Sequence, residues 1–230
     1  MAVYLPLAIA CLILGGLAPL MGFLGKKNGK EDYDFLTYFP YELYGDSRGP
    51  YRLSARILQI SALLCPVAAE AYFLTSIYGD GWGQMAFPLA MAFIALFAFL
   101  ALTLLSLVPA GEPKRHVALF FLGDALALLT LFMGGIFLLN QHALGEESVE
   151  AAALVLAIVL FVLAFFLVLV LANPKLAHWA TMKRESQPDG TFRLRRPRPF
   201  VMAFSEWLVY AVYIVGSSLL ILGLAFIVVD

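Results

Sequence analysis

The sequence predicts an all-α polytopic membrane protein with six transmembrane helices and both termini on the non-cytoplasmic side. Three observations carry this expectation. Of 230 residues, 62% are hydrophobic and 13% charged, against about a quarter charged in soluble domains. Six apolar runs reach the roughly 20 residues that a helix needs to cross a hydrocarbon core of about 30 Å. All 15 Lys and Arg residues fall in alternate connections, the pattern that cytoplasmic retention of basic loops produces.

The runs are Val3 to Leu24, Ile57 to Tyr78, Met85 to Val108, Val117 to Leu139, Ala151 to Ala172 and Phe204 to Val229. They occupy most of the chain, so residues 1–230 read as one six-helix domain. No strand alternation interrupts them, and helices then pair every backbone amide inside lipid. The first run has no Lys or Arg before it and is longer than a signal-peptide core, so it is read as a retained helix. Its Ala8, Cys11, Gly15, Ala18 or Pro19, and Gly22 recur at helical spacing, a small-residue stripe that lets backbones approach closely. Gly134 and Gly135 in the fourth run are a candidate counterpart, and a helix of another subunit is the alternative. Cys11 and Cys65 lie within spans, where a thiol behaves as a small apolar group, and no disulfide is expected.

The second run contains Glu70, in "CPVAAEAYF", and the fourth contains Asp124, in "FLGDALALL". An ionisable residue inside a span is costly to insert and is by default a functional candidate facing the bundle interior. No Lys or Arg lies at either depth, so each carboxyl must be protonated, hydrogen-bonded, hydrated or paired with a cation. Pro66, one turn before Glu70, leaves the Ala62 carbonyl without its helical donor, and another group must satisfy it. A broken helix beside an acid is one way to build an ion site. The sixth run adds Glu206, Tyr210, Tyr213 and Ser217, which share one helical face. Ordered from the basic side, these four interleave with Asp124 and Glu70 as a ladder suited to protons or small cations. The competing use is packing, since intramembrane polar groups often only bond neighbouring helices at about 0.6 to 2 kcal/mol each. The third and fifth runs are nearly uniform in Leu, Val, Ala and Phe, and broad exposure to lipid or to an apolar subunit is expected of them.

Two connections are long. Residues 25–56 include "EDYDFLTYFPYELYGDSRGPY", with Tyr33, Phe35, Tyr38, Phe39, Tyr41, Tyr44 and Tyr51 among five acids. On the cytoplasmic side these aromatics favour the headgroup zone, so Tyr33 to Tyr44 is expected along the inner surface, broken at Pro40. Acids interleaved with aromatics also fit a docking surface for another protein. Residues 173–203 carry a turn signal at Pro188-Asp189-Gly190, then Arg193, Arg195, Arg196 and Arg198. That pattern fits a short hairpin touching phospholipid, the acids of the first long connection or those of a partner. Retention of basic loops already explains the cluster, so nucleic acid is not expected as a partner.

Several chemistries lack their residues. No His/Cys cluster has zinc spacing, no serine sits in a nucleophile elbow, and "GFLGKKNGKE" departs from a phosphate loop at Leu24 and Glu31. His116, His142 and His178 fall at helix ends or in loops, away from where a membrane haem would need axial ligands. No cofactor and no metal is expected. The leading expectation is therefore a non-enzymatic multi-spanning subunit of a larger assembly in a bacterial-type plasma membrane. It would dock through its cytoplasmic loops and small-residue helix faces onto other subunits or copies of itself, with lipid around it. The alternative is a small proton- or cation-coupled transporter or channel using Glu70 and Asp124. A lipid-handling enzyme centred on His116 and His178 comes third.

Overall fold

A computed structural model of the chain describes residues 3–26, 36, 38–40, 42, 43, 49–77, 82–107, 113–144, 147–174, 176, 183–186, 192–195 and 200–227. Tyr33, Phe35, Tyr41, Tyr44, His178, Arg196 and Arg198 lie outside the described residues, as do the side chains of His142, Arg193 and Arg195. The protein is helical, with six helices long and apolar enough to cross a membrane. They are α1 (Tyr4–Lys26), α2 (Pro50–Ser76), α3 (Trp82–Leu105), α4 (Pro113–Leu144), α5 (Glu147–Leu171) and α6 (Val201–Ile227).

Two helices outrun their apolar segments. α2 starts at Pro50 rather than near Ile57, because Gly49 turns the chain with φ 55° and Pro50 opens the helix. Proline there gives up only an amide that has no helical acceptor. α4 begins at Pro113 and continues to Leu144, beyond Leu139. The expected hairpin forms between α5 and α6, with β1 (Lys183–Ser186) antiparallel to β2 (Phe192–Arg195) and Glu185 opposite Arg193.

Packing follows chain order around one centre. α1 packs on α2, α2 on α3, α3 on α4 and α4 on α5, while α6 packs against α1, α2, α4 and α5. Within its apolar window 72% of α6 is buried, against 28% for α1 and for α5, so α6 is the central helix. Glycines let it approach. Leu131 fills the space over Gly216, Leu220 that over Gly134 and Leu138 that over Gly223; a Cβ on those glycines would stand 2.5, 2.8 and 2.7 Å from the facing leucine. This alternation of notch and knob joins α4 to α6 through close dispersion contacts.

The small-residue stripe of α1 is used inside the chain. Gly15 meets Ile214 of α6, and Ala8, Cys11 and Gly22 are buried. Gly134 and Gly135 serve α6 and α5 respectively, the latter against Phe161. The outer faces of α3 and α5 expose large apolar side chains such as Phe93, Phe97, Val155 and Phe165.

Candidate functional site

On α4, His116, Phe120, Asp124, Ala127, Leu131, Gly134 and Leu138 recur every three or four residues and are all buried. That spacing makes one stripe. Four of its members define the helix it faces: His116 meets Glu206, Leu131 meets Gly216, Gly134 meets Leu220 and Leu138 meets Gly223. The partner numbers climb together, so α4 and α6 run in the same direction. Asp124 is thereby held between the levels of Glu206 and Gly216, where α6 carries Tyr210 and Tyr213.

At the hairpin end, His116 Nε2 and Glu206 Oε1 are hydrogen-bonded and both side chains are buried. Such a contact needs a proton between the two atoms, since two lone pairs would repel. The Phe39 ring stands edge-on to the His116 imidazole, with centroids 5.0 Å apart at 75°, and edge-on to Phe200 at 5.4 Å and 89°. A local turn holds Phe39 there. Its amide donates to Glu42 Oε2 at 2.9 Å, and its carbonyl accepts from the Glu42 and Leu43 amides. With Pro40 at the first helical position, the Glu42 carboxylate reaching back to the Phe39 amide makes the glutamate half of a capping box. Two further bonds fasten the segment to α6 and the residue before it: Phe200 N–H to the Leu36 carbonyl at 2.6 Å, and the Trp207 indole N–H to the Tyr38 carbonyl at 3.1 Å. The part of the aromatic segment that is described therefore turns into the bundle, with Phe39 fully buried over the His116–Glu206 pair.

Deeper along α6, the Tyr210 hydroxyl donates to the Gly15 carbonyl at 3.1 Å, which ties it to α1. Tyr213 and Ser217, one turn apart, are fully buried, and their hydroxyls approach without meeting hydrogen-bond geometry. Asp124 is fully buried, and among the described residues neither of its carboxylate oxygens has a partner.

Toward the short-loop end, Glu70 is 4% exposed and both its oxygens are also without a partner among the described residues. It lines an internal space of about 10 Å³ with Phe73, Pro88, Met91, Phe137 and Leu224, drawn from α2, α3, α4 and α6. Tyr213 is within electrostatic range of Glu70. The Ala62 carbonyl that Pro66 frees is met by the Cys11 thiol at 3.5 Å, and the same sulfur lies 3.8 Å from the Ile214 carbonyl. Cys65 turns to the Ser61 carbonyl of its own helix at 3.2 Å, and both cysteines are free thiols. Among the described residues no three of His, Cys, Asp and Glu converge as a metal site.

Two features escaped the sequence reading. His116 lies in the first turn of α4, at a helix end as expected, and its spacing to Asp124 and Leu131 also puts it on their stripe. Pro88 was passed over; it lies inside α3 against Glu70 and frees the Gln84 carbonyl one turn away. Comparison of the chain with family models, curated proteins and solved structures finds no match.

Proposed function

We propose that the protein is a small proton- or cation-coupled membrane transporter or channel, in which Asp124 and Glu70 carry the ion between the His116–Glu206 pair and the short-loop end. The observation that carries this reading is the state of the two acids. Both lie in the chain's own core, and none of their four oxygens has a hydrogen-bond partner among the described residues. An acid kept for packing is bonded, because an unpaired polar group in a lipid-embedded interior costs about 2–7 kcal/mol. An acid that takes up and releases an ion must instead be free of a fixed partner in one of its states.

In this reading the basic loops place the His116 end in the cytoplasm of a bacterial-type plasma membrane. His116 and Glu206 exchange the ion with that side, Phe39 closes it, and Tyr213 and Ser217 stand between the two acids. The assembly reading shares Gly15, Gly134 and Gly135 with contacts inside the chain, to Ile214, Leu220 and Phe161, and has Gly16 open beside a groove between α1 and α6. It keeps the outer faces of α3 and α5, which lipid or a second copy covers equally well. Reconstitution tests the proposal: Glu70→Gln and Asp124→Asn should each abolish ion-dependent flux in liposomes while leaving expression and elution volume intact. Normal flux in both variants would remove it.

A further inference from the structure

Resting on the transport reading, we infer that the ion held at Glu70 is a proton and that the site rejects sodium and potassium. Hard cations take several oxygen ligands at once, from carboxylates, carbonyls and water. The space at Glu70 provides one carboxylate, and the other residues that line it, Phe73, Pro88, Met91, Phe137 and Leu224, have no oxygen in their side chains. Proline-freed carbonyls are the usual supplement in membrane ion sites. Of the two that Pro66 and Pro88 free, that of Ala62 lies two turns from Glu70 along α2 and is already met by Cys11, and that of Gln84 lies one turn from Pro88. The internal space of about 10 Å³ holds no more than about one water, so a metal ion could not bring its own hydration shell. A proton needs none of this. It neutralises the carboxyl by a single covalent bond, and the apolar walls then hold a neutral acid.

Among the described residues, the ionisable side chains on the helices around this level are Tyr213 of α6, Tyr4 and Cys11 of α1, and Cys65 and Tyr72 of α2 itself, Tyr72 lying edge-on to Tyr4. α4 contributes Phe137 and α3 contributes Pro88 and Met91. Asp124, His116 and Glu206 stand at other levels, toward the hairpin end.

Dicyclohexylcarbodiimide, an apolar reagent that adds to protonated carboxyls, reads this directly on the full-length wild-type chain in detergent micelles. Mass spectrometry should find an adduct on Glu70 that forms faster as pH falls and at an unchanged rate in sodium or potassium chloride. A metal-binding site would be protected about tenfold by cation at ten times its Kd. Protection by either salt overturns the inference and leaves a cation carrier standing. No Glu70 adduct at any pH, in protein that elutes as a single folded species, overturns it as well. Salt-insensitive labelling without ion flux in liposomes supports the proton site and removes the transport reading instead.

Discussion

The Cys11 thiol of α1 stands 3.5 Å from the Ala62 carbonyl of α2, the carbonyl that Pro66 deprives of its helical donor. A helix break in one span is thus met by a side chain of its neighbour. Cys11→Ala leaves that buried carbonyl unpaired and should lower stability in detergent by about 1–3 kcal/mol. Cys11→Ser supplies a hydroxyl donor and should cost less. In a Pro66→Ala background the backbone amide returns, and Cys11→Ala should then cost less than it does beside Pro66, the remainder being its lost packing. Denaturation midpoints of the four proteins measure the cycle; equal costs in both backgrounds would break the link between Cys11 and Pro66.

The notch at Gly216 gives a second test. A Cβ there would stand 2.5 Å from Leu131 Cδ2, and Leu131 is fully buried. Gly216→Ala should cost about 1–3 kcal/mol by overpacking. Leu131→Ala should cost about 2–5 kcal/mol alone. The double variant should lose less than the sum of the two, because the smaller side chain accepts the added methyl.

Removal of one member of the His116–Glu206 pair leaves the other buried alone. His116→Leu or Glu206→Leu should therefore destabilise by about 3–5 kcal/mol, and the double leucine variant by less than either single change. Thermal melts of the three variants would decide it, and simple additivity would show that the two groups act independently.

Phe39 covers that pair, so Phe39→Ala should raise the rate of ion flux through the hairpin end without changing which ion passes. Flux measured on reconstituted protein checks this; a fall in flux would assign Phe39 a part in holding the pathway together instead of closing it.

How far the sequence could be read follows from how local each feature is. Six apolar runs of about 20 residues or more were legible in the sequence, and all six form helices long and apolar enough to cross a membrane. The orphan Ala62 carbonyl was legible from Pro66, since a proline acts on its own helix. Its donor was not, because Cys11 reaches it only once α1 lies against α2. The same limit applies to Gly134, read as a counterpart of α1 but occupied by Leu220, and to His116, buried by Phe39 from a distant loop. Small residues announce close approach without naming what approaches. The start of α2 was missed for a different reason: Arg52 and Arg56 lower the local hydropathy, while Gly49-Pro50 had already marked the helix end.

The most direct test of the central claim is the initial rate of ion uptake into liposomes carrying the wild-type chain, Glu70→Gln, Asp124→Asn or both changes together. The account places the two acids in series, so uptake should exceed that of empty liposomes for the wild type alone and fall to that background in all three variants. Uptake at the wild-type rate in either single variant would contradict it.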